Sequence, residues 1–124
     1  MPSAQGALSG YAAVTVLRSP RTAEYDAFAR VTARLGSAAE AGPSGFARLV
    51  AALHANRRLW ALVASEVADP RNALPAELRA GLFYLAEFTE VHSRRVLARE
   101  ADAAALVEVN TAVMRGLAGG ENAP

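Results

Sequence analysis

The sequence predicts an all-α protein, a single-domain bundle of four to five antiparallel helices. Apolar residues recur at spacings of three and four along most of the chain, which is the pattern of amphipathic helices. Short stretches rich in Pro, Gly and Asn separate these segments, and no alternating β-branched run typical of a strand lies between them. The 124 residues, 52% hydrophobic and 20% charged, suit one globular domain spanning residues 1–124.

Two helices are predicted in the first third of the chain. The first is short and lies around Leu8 and Tyr11, where nearby glycines weaken it. The second begins at Ser19-Pro20, because Ser suits the N-cap and Pro suits the first helical position. It should end before Gly42-Pro43-Ser44-Gly45, a sequence typical of a loop. Residues 1–7 are expected to form a flexible end.

The middle of the chain predicts two long helices with continuous apolar seams. Ser44 can cap the first of them, and Asp69-Pro70 should end it because the residue before a proline avoids the α region. Its seam reads Leu49, Leu53, Asn56, Trp60, Val63 and Val67. Pro75 opens the next helix, whose seam reads Leu78, Leu82, Leu85, Thr89, His92 and Val96. Trp60, the largest side chain of its seam, is expected to be a buried core anchor.

A last helix is predicted after Asp102, which suits its N-cap. Its seam reads Leu106, Asn110, Val113 and Leu117. Gly119-Gly120 should end this helix, so residues 119–124 are expected to form a second flexible end. All these connections are short, which favours antiparallel packing of neighbouring helices.

The sequence offers no pattern of catalytic or cofactor-binding residues. It has no Cys, so a thiol nucleophile and a thiolate metal site are excluded. The two His residues, His54 and His92, lack the spacing of a metalloprotease motif, and no Gly-rich phosphate loop is present. We therefore expect no enzymatic activity, no cofactor and no metal site.

Charge and hydropathy argue against nucleic-acid and membrane partners. All thirteen basic residues are Arg, but they are scattered and the formal net charge is only +1, whereas nucleic-acid binders usually show a basic stripe. No stretch approaches the ~18 strongly apolar residues of a membrane span, and the first ten residues lack the basic start of a signal peptide. We expect a cytoplasmic protein that contacts neither nucleic acid nor membrane directly.

Three polar residues interrupt the apolar seams near their middles: Asn56, His92 and Asn110. A buried amide or imidazole is costly unless it is hydrogen-bonded, so we expect these side chains to meet in one cluster. The favoured interpretation is a structural network that fixes helix register. A ligand-holding or pH-sensing site is the alternative, and the large neighbouring seam residues argue against it.

A second apolar line lies beside the seam of one helix, displaced by roughly a quarter to a third of a turn. It consists of Tyr84, Phe88 and Val91. A helix that is apolar over half its circumference is either central in its bundle or covered by a partner. These residues are therefore candidates for partner binding, with the Leu8-Tyr11 face of the first predicted helix as a second candidate.

Taken together, an ordered set of short motifs over nearly the whole chain resembles the alphaproteobacterial family of flagellar biosynthesis regulatory proteins FlaF. The motifs are Ser19-Pro20-Arg21, Glu24, Phe28-Ala29-Arg30-Val31-Thr32, Asn56-Arg57-Arg58-Leu59-Trp60, Asn72-Ala73-Leu74-Pro75, Leu78-Arg79-Ala80, His92, Val109-Asn110, Met114 and Gly116-Leu117. No single motif is diagnostic, but their order and spacing are fairly specific. The resemblance implies a cytoplasmic factor that couples flagellin production and secretion to flagellum assembly. It also implies flagellin and the companion regulator FlbT as partners.

The sequence thus predicts a non-enzymatic adaptor that binds flagellin. In this hypothesis an apolar groove receives an amphipathic flagellin helix. Two other functions stay open: an RNA-associated regulator of flagellin translation, and a structural subunit of the flagellar export apparatus.

Overall fold

The computed structural model of the protein describes residues 20–122, with side chains described from 23 to 117. Within these residues four α-helices follow one another: α1 (Pro20–Glu40), α2 (Phe46–Ala68), α3 (Ala76–Leu97) and α4 (Ala104–Asn122). A 3₁₀ turn, Gly42–Gly45, connects α1 to α2. No strand occurs within residues 20–122, so the predicted all-α bundle is confirmed. The short first helix predicted around Leu8 and Tyr11 lies outside the described residues.

Two glycines shape the connection between α1 and α2. Gly42 has a φ of +67°, a left-handed conformation that glycine adopts without steric cost. A Cβ on Gly45 would lie 2.6 Å from both the carbonyl oxygen of Ala38 and the Cβ of Ala41, so only glycine fits there. Ser44 does not cap α2 as predicted: the 3₁₀ turn places it before the helix begins, and its hydroxyl donates to the carbonyl of Ala41 (3.0 Å).

The connection between α2 and α3 follows the predicted turn chemistry. Asp69 leaves the helix with extended backbone (φ −71°, ψ 124°), as its position before Pro70 requires. The side chain of Asn72 then donates to the carbonyl of Glu66 and accepts the N–H of Leu74 (both 3.0 Å). Pro75 lies immediately before the first residue of α3, one position earlier than predicted.

The ends of α4 differ in how well the sequence predicted them. Asp102 lies one residue before the N-cap position, which Ala103 occupies, but its carboxylate still accepts the N–H of Ala104, the first residue of the helix (3.0 Å). The expected stop at Gly119-Gly120 is wrong, since the helix continues to Asn122. Glycine inside a helix costs only about 1 kcal/mol relative to alanine, so two glycines weaken a helix without ending it.

The helices pack as a four-membered ring in which one side is loose. α1 packs against α2 and α4, α2 also packs against α3, and α3 and α4 contact each other least. The core divides into two groups. The leucine cluster is Leu35, Ala52, Leu53, Val96 and Leu106, and the aromatic cluster is Phe28, Trp60 and Ala86. None of the helices in this described portion is long and apolar enough to cross a membrane.

Candidate partner-binding surface

A chain of hydrogen bonds crosses the centre of the bundle from α2 to α4. The indole N–H of Trp60 donates to Oδ1 of Asn110 (2.9 Å), and Nδ2 of Asn110 donates to Oδ1 of Asn56 (2.8 Å). Asn56 and Asn110 are completely buried, and Trp60 is 1% exposed. These residues hold two opposite helices together, which is a structural role and leaves none of the three free to meet a partner.

His92 does not join this network, so its predicted place in the polar cluster is wrong. Its side chain is half-buried, and its Nε2 pairs with the backbone carbonyl of Asp102 (2.8 Å), just before α4. The imidazole also stacks on Phe88, with ring centroids 5.3 Å apart. The buried polar side chains of α3 are instead Thr89 and Ser93, because α3 turns this face towards α2, the helix it packs against most closely.

The predicted apolar line on α3 is only partly available to a partner. Tyr84 is 65% exposed and Val91 is 50% exposed. Phe88 is half-buried and packs against the leucine cluster, so its prediction as an exposed contact residue is corrected to a core-edge residue. The exposed stripe is therefore Tyr84 and Val91, which lie about 20° apart around the helix.

This stripe lies on the side of α3 that faces away from α2. Glu90 of α3 pairs with Arg57 of α2, which fixes the direction of α2 as seen from α3. At about 100° per residue, Tyr84 and Val91 lie roughly 160–180° around the helix from the centre of the buried face formed by Ala86, Thr89, Ser93 and Val96. The stripe therefore lies on the outer surface of α3 and is directed away from the bundle.

Other exposed apolar side chains were not predicted as such. Leu62 on α2 is 57% exposed, Phe83 is 41% exposed, and Leu78 is 43% exposed although it was assigned to the inward seam. Leu78 lies in the first turn of α3, where the seam runs past the end of the packed core. Tyr84 was predicted as a candidate for partner binding, but the exposure of its neighbour Phe83 was not predicted.

A shallow cleft of about 210 Å³ lies between α2 and α3. Trp60, Ala86 and Thr89 line it from the core, and Phe83 lines it from the surface. At its mouth Arg57 forms a two-pronged ion pair with Glu90 (Nε to Oε1 2.9 Å, Nη2 to Oε2 2.5 Å). The hydrogen bond from Arg57 is the main reason that the pKa of the Glu90 carboxyl is lowered, and the positive charge of Arg94 adds to the effect.

The described part of the chain contains no group of three or more His, Asp or Glu residues placed to hold a metal ion. Leu8 and Tyr11, the second candidate surface, lie outside the described residues. Exposed apolar side chains on the outer surface of a helix can bind another protein by burying surface, and this is the chemistry that the arrangement supports best.

Comparison with known protein families identifies the chain. A family model described as flagellar protein FlaF matches residues 7–117. The chain belongs to the FlaF family. Comparisons with curated proteins and with solved structures give no match. The resemblance inferred from the sequence motifs is therefore confirmed, and the matched range of this FlaF-family chain includes every side chain described above.

Proposed function

We propose that this FlaF-family protein is a non-enzymatic, cytoplasmic adaptor that binds monomeric flagellin and couples its synthesis and secretion to flagellum assembly. FlbT would be a second protein partner in this process. Membership in a family of flagellar proteins supports the flagellar setting. The exposed stripe on α3 supports binding to a protein.

The surface we assign to flagellin is the stripe of Tyr84 and Val91 on the outer surface of α3. Both side chains are at least half exposed, and a rigid helix holds them. An amphipathic flagellin helix laid along α3 would contact the stripe with its own apolar face. Tyrosine suits the centre of such a contact because it combines a large apolar ring with a polar end.

Charge does not drive the proposed contact. The formal net charge is +1, and Glu90 is already paired with Arg57 and Arg94. Affinity should therefore depend mainly on apolar burial and change little with salt concentration.

The test is a titration of purified flagellin monomer against the wild type and two variants, Tyr84→Ala and Leu62→Ala. Leu62 is a matched control, because it is an exposed apolar residue of similar exposure on a different helix. We expect Tyr84→Ala to weaken binding by about 30-fold, which corresponds to about 2 kcal/mol for an aromatic hot spot. Leu62→Ala should bind like the wild type, and circular dichroism should show both variants folded.

Two outcomes would contradict parts of this proposal. If the folded wild type does not bind flagellin monomer, the adaptor function is wrong. If Leu62→Ala weakens binding and Tyr84→Ala does not, the adaptor function stands but flagellin binds the α2 side of the bundle.

A further inference from the structure

Polar side chains from all four helices lie at one level of the bundle. The rings of Phe28 and Trp60 are 5.5 Å apart, which sets α1 against α2. Because these helices are antiparallel, moving one turn along each places Thr32 at the level of Asn56. Asn56 in turn bonds to Asn110 of α4.

The register of α3 brings two more hydroxyls to this level. The ion pair between Arg57 and Glu90 sets α2 against α3, so Thr89 and Ser93 lie beside Asn56. Thr89 is 1% exposed and Ser93 is completely buried. We call the five residues the polar layer: Thr32, Asn56, Thr89, Ser93 and Asn110. The layer separates the leucine cluster from the aromatic cluster.

Four polar atoms of this layer have no hydrogen-bond partner within the described residues, although each is shielded from solvent. They are Thr32 Oγ1, Asn56 Nδ2, Thr89 Oγ1 and Ser93 Oγ. Buried polar atoms in folded proteins are nearly always hydrogen-bonded, so four such atoms at one level call for a shared partner. The hydrogen bonds from Trp60 through Asn110 end at Asn56, whose Nδ2 group is a donor without an acceptor in the described part of the chain. The missing partner must therefore include a hydrogen-bond acceptor.

We propose that the polar layer is a binding site for internal water. A water oxygen accepts the N–H of Asn56, and the water donates its protons to the hydroxyl oxygens of Thr89 and Ser93. One buried water commonly makes about three hydrogen bonds of this kind, and folded proteins hold about one per 27 residues.

The cleft between α2 and α3 gives this water a route to solvent. Thr89 lines the cleft from within, and Arg57 and Glu90 stand at its mouth. Thr89 is the one residue of the polar layer in the lining of the cleft, so exchange of the proposed water with solvent would pass this side chain.

The proposed water site can be tested by whether a substitution at Thr89 lowers or raises the stability of the fold. Thr89→Val keeps the shape of the side chain and removes the hydroxyl. If the hydroxyl binds the proposed water, the variant should lower the folding equilibrium constant about five- to tenfold. The matched control is Thr111→Val on α4, whose hydroxyl donates to the carbonyl of Val107 in its own helix (2.7 Å). This control should change the equilibrium constant less than twofold.

A direct measurement accompanies it. A water bound near Asn56 should give cross-peaks with the side-chain amide protons of Asn56 in ¹⁵N-edited spectra, and these cross-peaks should have opposite signs in the NOESY and the ROESY spectrum. A crystal structure of the protein should show ordered water in the polar layer. The proposal is overturned if Thr89→Val is as stable as the wild type and no water is found. In that case the hydroxyls donate to carbonyls of their own helix and the layer is dry.

Discussion

The bundle has two ends that are built for different tasks. The leucine end contains the leucine cluster, and the aromatic end contains the aromatic cluster. At the leucine end every member of the leucine cluster is at most 3% exposed, and the two connections there are closed by the 3₁₀ turn and by the Asp102 carboxylate. At the other end the aromatic cluster is smaller and is surrounded by partly buried residues from α2, α3 and α4. Most of the large apolar side chains exposed in the described residues lie at this aromatic end: Leu62, Leu78, Phe83 and Tyr84.

The two ends of this small bundle therefore differ in whether their apolar surface serves folding or binding. Apolar surface that is buried within the chain stabilises the fold and cannot contribute to a partner interface. Apolar surface left exposed adds little to folding and is available for binding. The leucine end therefore carries more of the closed core, and the aromatic end carries more of the surface that a partner can cover.

The largest expected effect concerns Trp60, which is the main side chain of the aromatic cluster. Trp60→Ala removes its contact with Phe28 and leaves Asn110 without a donor, so we expect a loss of about 3–5 kcal/mol in the free energy of unfolding. Chemical denaturation followed by circular dichroism measures this loss. Trp60→Phe is a milder variant that keeps an aromatic ring and removes only the N–H donor.

Comparison with Leu53→Ala at the leucine end would sharpen the contrast. That substitution should also destabilise by roughly 2–5 kcal/mol, because Leu53 is completely buried. If Trp60→Ala melts at the same temperature as the wild type, the expected role of Trp60 in the core is wrong and the leucine cluster alone supports the fold. If Trp60→Ala costs clearly more stability than Leu53→Ala, the aromatic end carries the larger share of the core and the proposed division between the ends is wrong.

A smaller effect is expected at the ion pair between Arg57 and Glu90, which joins α2 to α3 at the level of the polar layer. The pKa of Glu90 is lowered in the folded protein, mainly by its hydrogen bond from Arg57. A lowered carboxyl pKa stabilises the fold at neutral pH, and this stability is lost as the pH falls below the ordinary Glu pKa of about 4.3 and through the lowered value. Because the two side chains are 35% and 40% exposed, the contribution should be below about 1 kcal/mol.

The measurement is the free energy of unfolding of the wild type and Glu90→Gln from neutral to acidic pH. The wild type should be more stable at neutral pH, and the difference should disappear on acidification. Glu66 responds in the opposite direction, since burial raises its pKa, but it is present in both proteins and cancels in the difference. A difference that persists after Glu90 is protonated would show that the side chain acts by packing and not by charge.

The sequence predicted the helices well because its signals there are local. Asp69-Pro70 and Asp102 act on their own backbone, so their effects could be predicted without knowing the tertiary structure. The rotation of α3 could not be predicted in this way. Its seam was assigned from its large residues, but close packing against α2 buries the small residues Ala86 and Ser93, a face rotated by roughly 40°.

The candidate site was predicted only in part for the same reason. The rotation of α3 moves His92 away from the central network. Phe88 packs against the leucine cluster although the rotation turns it further from the buried face. Asn56 and Asn110 were predictable as partners, because each is the single polar residue in the middle of an apolar seam. The exposure of Tyr84 and Val91 follows from the same rotation, because it places both residues opposite the buried face of α3.

An effect of comparable size tests how the leucine end is closed after α3. Arg99 has a φ of +63°, a left-handed conformation that usually belongs to glycine at a helix end. The backbone pattern of a Schellman motif surrounds it, since the N–H of Arg99 donates to Val96 (3.0 Å) and that of Glu100 to Arg95 (2.8 Å). Its guanidinium carbon lies 4.2 Å from the ring centroid of Phe46, the first residue of α2.

Two substitutions at this position separate the backbone effect from the side-chain effect. Arg99→Ala loses the cation–π contact, worth about 0.5–1 kcal/mol at an exposed site, and keeps the unfavourable backbone conformation. Arg99→Gly loses the same contact but relieves roughly 1 kcal/mol of left-handed strain, so it should be close to the wild type in stability. Thermal unfolding of the two variants therefore gives an expected difference of about 1 kcal/mol in favour of glycine. If Arg99→Ala is instead as stable as the wild type, the contact with Phe46 contributes nothing, and the backbone hydrogen bonds alone close the leucine end.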